Sequence, residues 1–279
     1  MPDFTPVINL FIVIIVGIYQ GLSLLHIPYA LGFSIIIFTI LTRFLLYPLT
    51  AAQLKSAKKM QGLTPHLNRL KEKHKNDGKR LQAETMNLYK EHGINPAAGC
   101  IPLIIQMPII LILYQALNKI LNFNSPHVVV SEINKIGFLP DAFKLSQAWD
   151  PTFFGLPLGQ HPSQLMSTLG PLILLVPILT GVFQFIQSKM MIVKNKDQEQ
   201  DKPKKEDFAS AFQKQSLFIF PAMIGFFSFN FPIGLSLYWN TFTIFGILQQ
   251  YKVSGLGGLA EWKDKIWQKP ISQLAEKKK

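Results

Sequence analysis

Five long apolar runs, separated by polar stretches, dominate the pattern of this chain. They cover 31–50 (LGFSIIIFTILTRFLLYPLT), 99–121 (opening GCIPLIIQMPIILILY), 165–188 (with LGPLILLVPILTGVFQFIQ at its heart), 215–231 and 233–251. The last two meet at a tight turn, Asn230-Phe231-Pro232. Each is about long enough, as a helix, to cross a ~30 Å hydrocarbon core, the fourth at the short limit. The pattern predicts an all-α, polytopic membrane protein with five spans. Between the first two spans, 53–92 changes to an amphipathic rhythm. Leu63, Leu67 and Leu70 recur at helical spacing, as do Leu81, Thr85 and Leu88. Asn76-Asp77-Gly78 separates the two arms, so a helical hairpin is expected there. The resulting order is a first span at 31–52, the hairpin segment at 53–98, and a second span at 99–121. An irregular loop at 122–164, with one short helix near 139–148, leads to a third span at 165–188. A charged loop at 189–214, a two-span hairpin at 215–251 and a basic tail at 252–279 complete the chain.

Composition agrees with this reading. Only 16% of the 279 residues are charged, against about 25% in soluble domains. The sole charge in 1–42 is Asp3, and 99–118, 165–188 and 215–251 carry none. A soluble enzyme, a disordered chain and a disulfide scaffold are thereby excluded. The lone Cys100 permits no internal disulfide and no zinc cluster of its own. The net charge of +12 follows the topology. Residues 51–98 hold ten Lys/Arg against four Asp/Glu, whereas 122–167 hold two against three. Residues 189–214 hold seven against five, and 252–279 seven against three. Basic loops stay in the cytoplasm. The hairpin, the charged loop and the tail are therefore expected inside, 122–164 outside, and the N-terminus outside. Ribosome and anionic lipid are secondary partners for the basic excess.

Residues 7–25, VINLFIVIIVGIYQGLSLL, are apolar enough for a sixth span. No Lys or Arg precedes them, and only His26–Leu31 separate them from the next run. There is no positive n-region or small-residue cleavage pattern, so a cleaved signal peptide is not expected. The favoured reading of 1–30 is an outer membrane-surface or shallow helix.

Arg43 is the candidate functional residue that stands out. It lies within the first span, and Lys55, the next charge, is twelve residues on, about 18 Å along a helix. Arginine near a span centre costs about 2.5–3.5 kcal/mol to insert, so it usually faces a polar interior or snorkels to the headgroups. Thr39, Arg43, Tyr47 and Thr50 share one helix face. Thr180, Gln184 and Gln187 form a second polar stripe, and Ser236, Asn240, Thr243 and Gln250, with Trp239 alongside, a third. Gln106 adds to them from the second span. One stripe alone suggests interhelical hydrogen bonding. Several around one arginine suggest a hydrated groove. No Asp, Glu or His lies within the five spans, and neither HExxH nor GxSxG occurs. The groove therefore offers positive charge and hydrogen-bond partners, without a nucleophile, an acid–base pair or a metal or cofactor site. No enzymatic activity is expected.

The run GFSIIIFTILTRFLLYPLT followed by KSAKKM resembles the first core span of the YidC/Oxa family of membrane protein insertases. NPAAGCIPLIIQMPIILILY is similar to that family's second-span signature, and FPIGLSLYWNTFTIFGILQQ to its last span. The resemblance implies a five-span insertase core with a cytoplasmic helical hairpin after the first span. It implies a groove open to cytoplasm and lipid but closed outside. Arg43 matches the family's groove arginine, and Trp239 a groove-lining aromatic position. Either Gln184 or Gln187 matches the third-span glutamine. Unlike larger members, the chain shows no folded outer domain near its N-terminus and no lipoprotein cysteine. The implied function is a membrane insertase and chaperone in the bacterial plasma (inner) membrane, without a cofactor. It would take nascent membrane proteins from the ribosome, with the Sec translocon as a further candidate partner. A small channel or transporter, or an assembly scaffold without insertion activity, are the alternative readings.

Overall fold

The computed structural model describes residues 4–75, 77–93, 101–121, 126–191 and 208–260. Asn76, Gly99, Cys100, the KNKDQEQDKPKKED linker and the tail from 261 onward lie outside the described residues. The regular elements of the described part are helices and one short β-hairpin. The chain divides into two compact units, one made of 1–46, 103–184 and 219–245, the other of 47–102, 185–218 and 246–279.

The first unit begins with α1 (Thr5–Leu24) and α2 (Ala30–Leu45). Pro6 opens α1 at a position where its missing N–H costs nothing. The helix buries Ile8, Ile12, Ile15 and Val16, spaced at three or four residues, on the face that joins the core. Phe11 meets Phe38 edge-on at 5.1 Å. That contact lies well below the turn linking the helices, so α1 runs back along α2. α2 stops at Leu45 because Pro48 has no N–H for the carbonyl of Phe44 and its ring crowds that position. The expected first-span run at 31–50 is therefore divided between α2 and a new helix that starts at Tyr47.

α6 (Ile101–Ile120) follows the second apolar run, and α7 (Pro126–Asn134) opens the next loop. In place of a helix over 139–148 there is a single 3₁₀ turn at Asp141–Phe143. The Asn134 side chain holds Leu145 at both backbone groups, each at 2.9 Å. The Trp149 indole donates to the Ile120 carbonyl at 3.2 Å, which pins the loop to the end of α6. β1 (Thr152–Phe153) pairs antiparallel with β2 (Leu156–Pro157). The third apolar run is a helical stretch from α8 (Pro162–Leu169) through a 3₁₀ turn into α9 (Leu175–Met191). The fourth and fifth are α10 (Phe208–Asn230) and α11 (Ile233–Ser254). Gly234 and Ile233, at the start of α11, donate to Leu158 at 2.7 Å and Gln160 at 2.9 Å.

α9 and α10 cross through matching Pro-x-x-x-Gly steps. A Cβ on Gly181 would stand 3.3 Å from the Pro221 carbonyl, and one on Gly225 would stand 3.2 Å from the Pro177 carbonyl. Two glycines thus allow the backbones to approach where larger side chains would separate them. Among the described residues, Thr5–Leu24 and Pro162–Met191 are long and apolar enough to cross a membrane. Large apolar side chains such as Leu172, Ile178 and Phe226 are exposed along α9, α10 and the turn before α9. That is the outward face expected of a helix solvated by lipid.

The second unit holds α3 (Tyr47–Gly62), α4 (Thr64–Lys73) and α5 (Gly78–Glu91). α4 and α5 form the hairpin expected from the leucine spacing, and Leu63 is buried between α3 and α4 in sequence. Asp77 caps α5 by accepting from the Arg80 amide at 3.0 Å. Burial pushes the Tyr89 phenol above its ordinary range. Phe185 and Phe218 lie 5.7 Å apart. After α11 the chain turns at Gly255 and Gly257, both with positive φ. Any Cβ on Gly257 would collide with the Met190 carbonyl, so glycine is required by space as well as by conformation.

Candidate functional site: polar contacts converging on the last helix

Most candidate residues fall in the first unit, and α11 is their common partner. Four residues of α11 each reach a different helix. Ser236 shares a 2.8 Å hydrogen bond with Ser228 of α10, and Ser228 donates to Thr180 of α9 at 3.2 Å. Tyr238 accepts from the Gln106 amide of α6 at 3.1 Å. The Trp239 indole donates to the Gln184 amide oxygen of α9 at 3.2 Å. Phe242 receives Arg43 of α2.

The arginine contact has two parts. Nε and Nη2 of Arg43 donate to the Phe242 carbonyl at 3.1 and 2.6 Å. The guanidinium carbon also stands 3.3 Å from the centroid of the Phe242 ring. One residue thus supplies an acceptor and a π face, and Arg43 is only 5% exposed. The geometry follows from planar guanidinium chemistry, since the same plane can stack on a ring and direct adjacent N–H groups at one oxygen. The Phe242 carbonyl and ring are neutral groups, and the guanidinium they hold is a source of positive field within the unit.

Thr39, one turn before Arg43, is fully buried and turns its hydroxyl back to the Ile35 carbonyl at 2.6 Å. It is thereby satisfied within its own helix. Asn240 and Thr243 differ from it. Asn240 Oδ1 and Thr243 Oγ1 are buried and have no hydrogen-bond partner among the described residues. Leaving such an atom unpaired costs about 1–3 kcal/mol, so both are suited to accept from an incoming N–H or water. Tyr47 and Gln187 belong to the second unit, Tyr47 exposed and Gln187 half-buried. Of the two glutamines left open by spacing, Gln184 is the one that meets Trp239.

Arg43, Gln184 and Asn240 do not hydrogen-bond to one another. α11 presents separate partners to the first two. Sequence reasoning missed Phe242, Tyr238 and Ser228. The acceptor on Phe242 is a backbone carbonyl, which no side-chain pattern reveals. Tyr238 could have been found, because a tyrosine buried in a span needs a partner for its hydroxyl. Ser228 lies in an otherwise aromatic run, FFSF, and its spacing gave no stripe.

The profile of the family described as 60Kd inner membrane protein matches residues 23–256. Membrane protein insertase MisCA of Bacillus subtilis is 35% identical over 228 residues, covering 80% of this chain and 70% of its own. Membrane protein insertase YidC of Fusobacterium nucleatum is 31% identical over 228 residues, covering 81% and 87%. Inner membrane protein ALBINO3 of Arabidopsis thaliana chloroplasts is 33% identical over 259 residues, 91% of this chain. This chain spans about half of that relative, 53%. A crystal structure described as an active YidC insertase with its first transmembrane domain resolved superposes with a TM-score of 0.51 at 24% identity. It covers 84% of this chain and 46% of that one, a likeness of fold. The helical order, the arginine seated on the last span and the extent of these matches lead to one assignment: this chain belongs to the 60Kd inner membrane protein family, the YidC/Oxa membrane protein insertases.

Proposed function

We propose that this chain is a membrane protein insertase that accepts short polar segments of nascent membrane proteins and releases their apolar parts to lipid. The observation that carries the reading is Arg43, a buried cation among spans that carry no acidic residue, seated on the Phe242 carbonyl and ring of α11. Thr39, Gln106, Gln184, Trp239, Asn240 and Thr243 lie in the same unit as Arg43 and are its proposed companions in handling the substrate. An acidic substrate segment gains attraction from Arg43. Asn240 Oδ1 and Thr243 Oγ1 offer acceptors to its backbone N–H groups. These contacts replace part of the hydration that the segment loses, where each unsatisfied group in hydrocarbon costs several kcal/mol. The work comes from hydrophobic partitioning and, for acidic segments moving outward, from the membrane potential at about 2.3 kcal/mol per charge per 100 mV. No covalent chemistry is required.

The proposed setting is a bacterial plasma membrane with the basic hairpin and tail in the cytoplasm, where the ribosome, and in some cases the Sec translocon, would deliver substrate. For α1 we infer a span rather than a surface helix. It has the required length and apolarity, and it packs along α2 through Phe11 and Phe38. With the C-terminal end of α2 on the cytoplasmic side, the start of α1 would lie on that side as well.

The test is reconstitution of the purified protein into liposomes with a single-span substrate carrying a short acidic outer segment. Protease protection of that segment above the protein-free level supports insertion. Binding of the substrate without protection would favour a scaffold and refute the proposal.

A further inference from the structure

The β1–β2 hairpin displays one aromatic side chain, Phe154, on the surface. Phe154 and Gly155 form the turn with φ of +49° and +80°. A left-handed conformation is unfavourable for a non-glycine residue, so the conformation at Phe154 is imposed by its neighbours. The Phe153 ring occupies the space above Gly32 of α2, where any Cβ would collide with it. Phe153 also packs edge-on against Phe33 at 5.3 Å and Tyr29 at 6.1 Å. At the base, Asp150 accepts from the Thr152 amide and hydroxyl, each at 2.9 Å. On the other side Leu158 is fully buried and accepts from Gly234. The hairpin is thus fixed at both ends and at Phe153. What it presents is Phe154, which leans on Tyr29 at 4.8 Å yet remains 66% exposed.

The charge map identifies the occupant. No Asp, Glu, Lys or Arg lies between Asp150 and Lys189, or between Asp3 and Arg43. The rings that Phe154 meets, those of Tyr29, Phe33 and Phe153, all come from these charge-free stretches. The preceding part of the same loop is different. It carries Glu132, Lys135, Asp141 and Lys144, paired as Lys135–Glu132 at 3.3 Å and Lys144–Asp141 at 2.6 Å on exposed surface. Lys144 holds the Asp141 carboxyl below its ordinary range. One half of the loop is built for water and the other is not. Tyr29 and Phe33 sit at the first turn of α2, the level at which an entering span passes from headgroups to acyl chains. Aromatic rings favour that depth.

We propose that Phe154 and its hairpin form a membrane-anchoring knuckle, with the Phe154 ring inserted at the headgroup–acyl boundary of the leaflet beside the α1–α2 turn. The occupant of this apolar patch is lipid. The anchor would hold the loop that covers the start of α11, because the same ten-residue stretch binds Gly234 and Ile233. The proposal needs the chain to be membrane-embedded and does not depend on insertion activity.

The experiment uses the full chain with Cys100→Ser, reconstituted in phosphatidylethanolamine/phosphatidylglycerol vesicles. A nitroxide is placed at Phe154→Cys, at Lys135→Cys as the aqueous reference and at Ile178→Cys as the lipid reference. Accessibility is measured to oxygen and to a water-soluble nickel chelate. The expected oxygen-to-nickel ratio at 154 is several-fold above that at 135 and close to that at 178. Bromolipid quenching of Phe154→Trp, above the quenching of the parent protein, gives a label-free second reading. A ratio at 154 equal to that at 135 would overturn the proposal. So would shielding from both reagents, which would indicate a protein partner or a second copy. A water-like ratio at 178 would overturn the membrane reading of α9, and the knuckle with it.

Discussion

Replacing Arg43 should separate stability from function, because the terms that hold this residue nearly cancel. Its hydrogen bonds to the Phe242 carbonyl are charge-assisted, which contributes about 1.5–3 kcal/mol. Its stacking on the Phe242 ring adds about 0.5–2 kcal/mol. Against these stands the cost of placing arginine within a span, about 2.5–3.5 kcal/mol. In Arg43→Ala the Phe242 carbonyl remains part of a helix, so no backbone group is stranded. On these terms the net change in stability should lie between about 1.5 kcal/mol of gain and about 2.5 kcal/mol of loss. Function should respond differently. A carboxylate passing about 4 Å from the guanidinium gains about 1 kcal/mol at the dielectric of water and about 4 kcal/mol at an effective value near 20. Loss of that attraction should slow insertion of a substrate with an acidic outer segment by roughly fivefold or more, since 1.4 kcal/mol is a factor of ten. A substrate with a neutral segment should be affected far less. Arg43→Lys should retain more activity than Ala, because the role rests on charge rather than on a bidentate fork. The assay pairs thermal unfolding in nanodiscs with insertion rates in liposomes for both substrates and all three proteins. Equal slowing of both substrates, or equal rates for Ala and Lys on the acidic one, would refute the reasoning. Collapse of the Ala variant in nanodiscs would refute the cancellation.

Gly225→Leu should lower the thermal midpoint, since even its Cβ would stand 3.2 Å from the Pro177 carbonyl and overpacking of this kind costs about 1–3 kcal/mol. Gly225→Ala should cost less, and an unchanged midpoint for Leu would show that α9 and α10 separate freely. Ser228→Ala should destabilise by about 1 kcal/mol because it leaves the buried Ser236 hydroxyl without its partner. Adding Ser236→Ala should restore part of the loss, as read by chemical or thermal unfolding of the single and double variants. Deleting the α4–α5 hairpin should abolish insertion in liposomes. Deleting 270–279 should weaken ribosome co-sedimentation more at low than at high salt, because exposed charges are screened beyond about 8 Å at physiological ionic strength.

Much of this protein was legible in its sequence because membrane solvation leaves one-dimensional traces. A backbone in hydrocarbon must satisfy its own hydrogen bonds, so spans become long uncharged runs that can be read directly. The hairpin over α4 and α5 followed from leucine spacing and the turn at Asp77-Gly78 for a similar local reason. Arg43 was conspicuous because a charge in such a run is costly, and Thr39, Gln106, Gln184, Trp239, Asn240 and Thr243 because polar residues there are few. The partners were a different matter. That Arg43 rests on the Phe242 carbonyl, that Gln106 finds Tyr238, and that Gln184 meets Trp239 depend on how α2, α6 and α9 rotate against α11. The interruption after Leu45, the β-hairpin at 152–157 and the glycine crossing of α9 and α10 likewise escaped the apolar pattern. Hydropathy records how much of a helix avoids water. It carries no term for which side chain lies opposite which, and that pairing of surfaces distant in sequence is what only tertiary packing decides.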